Sequence, residues 1–277
     1  YPSFSLVLPG AGVLDEAPYI DAVARHCGLQ PFTTTLHPTW VREHLARITW
    51  TQEEPMSGPA IVAQYRVYQL AAEHGMRVIL DGQGADEVLA GYPRHQQALM
   101  QDALQRRLWG KLCRSMAQQL RVEPRLLAQM ARRVVQVPLR YLRGSHPGGL
   151  LPGWLSPEAR RFLEADVRSQ APLSQSHDPS GLNRLLYTDV LHGNLKAVLH
   201  VGDRNAMAHA IESRVPYLDH RLVECAFQLP DVYKAGHGLR KRLLRAVAQP
   251  YLPDLVLQRR DRIGFGVPTH RWLREHF

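Results

Sequence analysis

Three observations predict an α/β fold in which a parallel sheet is flanked by helices and followed by a helical C-terminal part. Short apolar runs alternate with segments of helical period between residues 3 and 80, a glycine-rich turn follows the third run, and the pattern is helical from there on. Strands separated by helices imply right-handed βαβ crossovers and hence parallel pairing.

The elements follow in order. "SFSLVL" (3–8) reads as a buried strand, and "DEAPYIDAVARHCG" (15–28) as an amphipathic helix with acidic residues in its first turn and Gly28 at its end. "PFTTTL" (31–36) is a second β-rich run. "GPAIVAQYRVYQLAAEHG" (58–75) carries apolar residues at helical spacing and stops at Gly75, and "MRVIL" (76–80) is a third strand. A variable Arg-rich helical part (93–182) comes next, interrupted by "GSHPGGLLPGW" and "SQSHDPSG", which read as surface connections. A last helical part (183–277) contains the polar run "GDRNAMAHAIESRVPYLDH".

Composition narrows the function. The chain has 277 residues, 45% of them hydrophobic, and no apolar run near the roughly 20 residues of a membrane helix. A soluble, cytoplasmic protein with no membrane partner is the expectation. Cys27, Cys113 and Cys225 are far apart without metal-type spacing, so buried, inert thiols are expected rather than a disulfide framework or zinc site. The formal charge of +9 makes phosphate-bearing partners conceivable, but the Arg residues are dispersed and lack aromatic interleaving, which ranks nucleic acid last. Lys occurs only at 111, 196, 234 and 241, so nearly all of the positive charge is carried by Arg. "YPSFSLVLPG" opens almost directly into a strand without an initiator Met, and Tyr1 is not expected to be the natural beginning.

The chemistry concentrates in "VILDGQGADEVLAGY" (78–92). In parallel sheets ligands bind at the carboxyl ends of strands, and a glycine-rich turn there lets backbone N–H groups approach an anion. Gly82 and Gly84 supply the turn, and Asp86 and Glu87 place two carboxylates beside it. Acids next to bound phosphate make sense when Mg²⁺ lies between them. The competing reading is a tight turn whose acids merely favour a helix N-terminus, and on its own the pattern does not decide. In the second run, Asp203, Arg204, Glu212, Arg214 and Asp219 could form a bracing ion-pair network. Alternatively, some of them could reach substrate, since a guanidinium suits a carboxylate or phosphate. Bracing is favoured for Arg214 and Asp219 and left open for Arg204 and Glu212.

"SFSLVLPG", "DGQGADEVLAGY", "DRNAMAHAIESRVPYLDHRLVE" and "LPDLVLQRRDRIGFGVPTHRWL", in this order, resemble the synthetase domain of glutamine-hydrolysing asparagine synthetases and their relatives. The resemblance covers nearly the whole chain and is weakest between about 93 and 180. It implies a single domain over 1–277 of the adenine nucleotide alpha hydrolase-like, ATP-pyrophosphatase type, with a nucleotide-binding part (1–92) and a part that closes the site (183–277). It also implies an ATP- and Mg²⁺-dependent ligase that adenylates a carboxylate, releases pyrophosphate and lets ammonia form the amide. Carried over by motif, Leu6, Asp81, Gly82, Gly84 and Arg204 meet the nucleotide, Asp86 holds the metal, and Lys241, Gln83 and Glu87 serve the chemistry. A lysine in "GLRKRLLRA" can equally be an ordinary solvated helix residue. Aspartate is the expected acceptor, a glutaminase domain the ammonia source, and a homodimer an open option.

Two departures qualify this. The family's Ser-Gly-Gly-x-Asp-Ser pyrophosphate loop does not occur in the chain, nor does the glutaminase domain, so the chain by itself is expected not to turn over ATP. Asparagine-forming members usually carry Glu at the place of Gln83 and Ser at that of Asp81. An amide cannot act as a general base, which opens the alternative of an amide or lactam synthetase acting on a peptide or specialised metabolite, while the missing loop opens that of a non-catalytic domain.

Overall fold

A computed structural model describes residues 1–56, 58–122, 156–159, 161, 180–259, 266–268, 272 and 274. Most of the expected Arg-rich part, 123–155 and 162–179, lies outside the described residues.

The first strand, β1 (Pro2–Leu6), pairs in parallel with β2 (Gln30–Thr34), with Leu6 opposite Thr34. Helix α1 (Ala17–Cys27) connects them and ends where Gly28 turns left-handed at φ 62°. Asp15 precedes this helix, and its carboxylate accepts from the N–H groups of Leu8 and Ala17, both at 3.2 Å, which ties the strand exit to the helix entry. No acidic residue falls in the first turn of α1, contrary to the sequence expectation.

After β2 comes α2 (Pro38–Gln52), a helix that the sequence patterning did not identify. Pro38 presets φ at its start. Only Ile48 and Gln52 are fully buried along it, so it lacks a continuous apolar stripe. By contrast, α3 (Ala60–Glu73) buries Ile61, Val62, Ala63, Gln64, Tyr65, Tyr68, Leu70 and Ala71, so it is covered on most sides and forms the centre of the molecule. It leads through Gly75 (φ 74°) into β3 (Val78–Leu80).

The partner of β3 is β4 (Glu212–Arg214), again parallel, with Ile79 opposite Ser213. The C-terminal part is therefore not wholly helical. The strands form two two-stranded sheets, β1–β2 and β3–β4, and β1 and β3 are not paired among the described residues. Both sheets rest on α3. Phe4 of β1 and Ile79 of β3 pack on one buried group of Tyr68, Ala71, Ala206 and Ile211. The larger cluster around Leu8, Leu36, Ile48, Ile61, Val62 and Tyr65 fills the space between β1, β2, α2 and α3.

The helical remainder begins with α4 (Ala85–Val88), α5 (Pro93–Gln105) and α6 (Trp109–Val122). It continues with α7 (Gly181–Leu191) and α8 (Asn194–Met207), then α9 (His220–Gln228), α10 (Asp231–Lys234), α11 (Arg242–Ala248) and α12 (Asp254–Leu257). Ser180 caps α7 by accepting from the Asn183 N–H at 3.1 Å, and Asp219 caps α9 by accepting from the Arg221 N–H at 3.0 Å. The fold is α/β, with parallel strands flanked by helices. Cys27, Cys113 and Cys225 are all exposed, which corrects the expectation of buried thiols. No described helix is long and apolar enough to cross a membrane.

Candidate functional site

The chain leaves β3 at Asp81, whose N–H still donates to the Arg214 carbonyl at 2.8 Å, so the sheet fixes the first residue of the loop. The Asp81 carboxylate accepts from the Tyr68 hydroxyl at 3.2 Å, and that hydroxyl also lies 2.8 Å from Ser213 Oγ on β4. Burial raises the pKa of Asp81, opposed by hydrogen bonds from Tyr68, the backbone of Gln83 and Gly82, and the side chain of Gln64. Burial likewise raises that of Tyr68.

Gly82 is exposed and open, and Gln83 is half-buried beside it. Gly84 adopts φ 90°, and a Cβ there would lie 2.4 Å from the Leu218 side chain. The turn thus needs glycine at 84 for conformation and for space. Asp86 and Glu87 then diverge along α4. Asp86 pairs with Lys241 at 2.9 Å, both side chains partly exposed. Glu87 is buried and accepts from the Tyr92 hydroxyl.

The Asp86–Lys241 pair depends on the third glycine of the motif. A Cβ on Gly91 would fall 1.5 Å from Asp86 Oδ1 and 2.6 Å from Lys241 Cε, so the pair occupies the volume of the missing side chain. The Gly91 N–H also donates to the Asp86 carbonyl at 2.8 Å. Ala90 and Lys241 both stand at positive φ, 60° and 50°, conformations that cost non-glycine residues on the order of 1 kcal/mol each. Lys241 is presented at the start of α11 by this backbone setting.

The structure therefore joins Asp81, Gly82, Gln83, Gly84, Asp86 and Glu87 in one loop and adds Lys241 from far along the chain. It does not bring Arg204 into this group, because that guanidinium lies 2.6 Å from Glu53 at the end of α2. Leu6, at the end of β1, packs against the cluster of Leu8, Leu36 and Ile48. Among the described residues, the bracing ion pairs favoured for Arg214 and Asp219 do not join the helical part to the sheet. Arg214 stands 3.9 Å from Glu212 with both side chains exposed, and Asp219 pairs instead with Arg221 at 2.8 Å. The hydrogen bonds of Arg221 hold the Asp219 carboxyl well below the usual carboxylate range.

Tyr68, Ser213, Gly91, Tyr92, His95 and Asp189 belong to this region and were not singled out by sequence reasoning. Gly91 and Tyr92 lie inside the quoted motif, and a glycine before an aromatic and a proline was a usable signal. Nothing local marked Tyr68 or Asp189. No cluster of three or more His, Cys, Asp or Glu able to hold a metal occurs among the described residues. The donor set nevertheless suits a hard cation that brings its own oxygen ligands. Such a cation needs only one or two protein carboxylates, and Asp86 is a partly exposed carboxylate beside a fixed ammonium in a space kept clear by Gly91.

A parallel α/β fold, a loop of this composition at the end of β3 and a lysine held against it define a class that comparison with known proteins identifies. The sequence profile for asparagine synthase matches residues 2–277, and the chain belongs to that family. Glutamine-hydrolysing asparagine synthetase 1 of Bacillus subtilis is 27% identical over 269 residues, which cover 89% of this chain and 39% of that protein. A putative glutamine-hydrolysing asparagine synthetase of Mycobacterium tuberculosis is 29% identical over 242 residues, or 83% and 35% of the two chains. The protein named amidase chyE of Penicillium rubens is 22% identical over 259 residues, 82% and 38% respectively. The chain thus spans less than two fifths of the length of these relatives.

Proposed function

We propose that the chain is the synthetase portion of an ATP-dependent amide-forming ligase: a carboxylate is adenylated with release of pyrophosphate, and ammonia then attacks. The observation that carries this reading is the Asp86–Lys241 pair, seated in the space left by Gly91 beyond the carboxyl end of a parallel strand. Asp86 would hold Mg²⁺, which when bound neutralises charge on the departing pyrophosphate. Lys241 would neutralise further charge as an ammonium already in place, so little reorganisation is needed as the bond to the α-phosphate breaks. The Tyr68 hydroxyl on the Asp81 carboxylate and the Asp81 N–H on the Arg214 carbonyl set the start of the loop rather than leaving it to the substrate.

Aspartate as acceptor, with ammonia supplied by a glutaminase domain, is the reading the named relatives favour. Gln83 supports a second: an amide or lactam synthetase for another carboxylate, because a neutral amide cannot serve as base at that place. In a chain that also carries the pyrophosphate loop, aspartate-dependent pyrophosphate release gained only in Gln83→Glu would favour the second reading, and release already present with Gln83 the first. Leu6, Gly84 and Arg204 as nucleotide contacts remain part of the proposal, with Arg204 requiring release from Glu53.

Because no Ser-Gly-Gly-x-Asp-Ser loop occurs in the sequence, binding is the appropriate measurement. Titration calorimetry with magnesium pyrophosphate should show binding that falls at least tenfold in Asp86→Asn and in Gly91→Ala. Tenfold corresponds to about 1.4 kcal/mol. Equal affinity of the wild-type chain and both variants would overturn the reading.

A further inference from the structure

We propose that Tyr92, His95, Asp189 and Arg94 form a positioning ring, buried at His95 and Asp189 and open to solvent at Arg94, that sets the Asp86–Lys241 pair, and that Glu87 is its anchor inside α4, not a group facing the substrate. The inference rests on the reading of this loop as a phosphate and metal site.

Glu87, His95 and Asp189 are 2%, 0% and 5% exposed, and burying such groups is costly unless each is satisfied. Here each is. The Tyr92 hydroxyl donates to Glu87. The Tyr92 N–H donates to His95 Nδ1 at 3.2 Å, so that nitrogen carries no proton and the ring's proton sits on Nε2. Nε2 then donates to Asp189 Oδ2 at 2.8 Å, while Asp189 Oδ1 takes Arg94 Nη2 at 2.9 Å. The Arg94 guanidinium lies over the Tyr92 ring at 4.8 Å and closes the circuit. Asp189 belongs to α7, which packs along α5, so the ring locks the start of α5 to a separate element.

Between Glu87 and Tyr92 lie Ala90, at positive φ, and Gly91, whose missing side chain makes the space occupied by Asp86 and Lys241. With Glu87 pinned at one end and Tyr92 at the other, this turn has one setting, and that setting fixes Asp86. These residues act through the turn and do not themselves reach the reacting atoms.

The test uses the full chain with its lysines reductively ¹³C-methylated, the Lys241 signal being assigned by Lys241→Arg. Asp86→Asn gives the signal position of an unpaired Lys241. Tyr92→Phe, which removes only the hydroxyl, is expected to move the Lys241 signal toward that position and to weaken magnesium pyrophosphate binding at least tenfold. Asp189→Ala should do the same, and Asp189→Asn, which keeps an acceptor for His95 Nε2 but loses the Arg94 pair, should move the Lys241 signal less than Asp189→Ala. A folded Tyr92→Phe protein with the Lys241 signal unmoved overturns the ring. Signals that move as expected, in a chain that binds no magnesium pyrophosphate even as wild type, uphold the ring and overturn the phosphate-site reading.

Discussion

Asp81 stands where strand gives way to turn, and its carboxylate accepts from Tyr68 in a largely buried setting, with Gln64 and the backbone of Gly82 and Gln83 also acting to lower its pKa. Burial outweighs these bonds and raises its folded-state pKa above the ordinary 3.8. In the window from that value up to the raised one, the folded state binds more protons than the unfolded state, so stability must fall as pH rises through it. Asp81 therefore contributes stability at acid pH that is lost on ionisation. Asp81→Asn keeps an acceptor for Tyr68 and cannot ionise. The expected outcome of urea unfolding across this window is a smaller decline of stability with pH than in wild type. An identical decline would show that Asp81 is not the group responsible. The same residue illustrates what the sequence hid: its place after an apolar run before glycine was legible, but its partners Tyr68 and Ser213 come from α3 and β4 and had no local mark.

At the scale of elements, α2, α3 and α8 are joined by one fully buried residue. Asn205 Oδ1 accepts from Gln52 Nε2 at 2.8 Å, and its amide nitrogen reaches the Ile61 carbonyl and Gln64 Oε1, both at 3.1 Å. Asn205→Ala leaves these groups buried without their partner, at a cost of about 1–3 kcal/mol for each one orphaned. Denaturant unfolding should show the loss. A double-mutant cycle with Gln52→Ala should give a coupling of about 0.5–3 kcal/mol, and additivity would refute the link. This joint explains why α2 escaped the sequence pattern. Its main buried anchors are Ile48 and a polar Gln52, so the fold holds it through a side-chain amide as much as through an apolar stripe. Helices α1 and α3 were legible because Gly28 and Gly75 end them and their apolar residues recur at helical spacing. Strand β4 was not, since its three residues are Glu, Ser and Arg, and pairing with β3 overrides their poor strand patterning. The loop carrying Asp86 was recognisable from its motif. The divergence of Asp86 and Glu87 was not, because adjacent residues on a helix point to different sides and only the surrounding helices decide which side is buried.

At the scale of the whole molecule, the two sheets differ in how far the chain must travel to make them. β1 and β2 are separated by a single α-helix and a short 3-10 turn, whereas β3 meets β4 only after the entire middle of the chain has been placed. Closing long loops costs entropy before the contacts are rewarded, so the β3–β4 pairing is expected to form late. Ile211, fully buried just ahead of β4 against Tyr68, Ala71 and Ala206, reports on that step. Ile211→Val removes one methylene and should cost about 0.5–1.5 kcal/mol. If β4 docks after the main barrier, nearly all of this cost appears as faster unfolding, with the refolding rate unchanged. Stopped-flow refolding and unfolding of the variant would measure the partition. A cost falling mainly on refolding would instead place β4 in the folding nucleus. Late docking of β4 would also complete the candidate site last, since Ser213 and the Arg214 carbonyl are what hold Tyr68 and Asp81 in register.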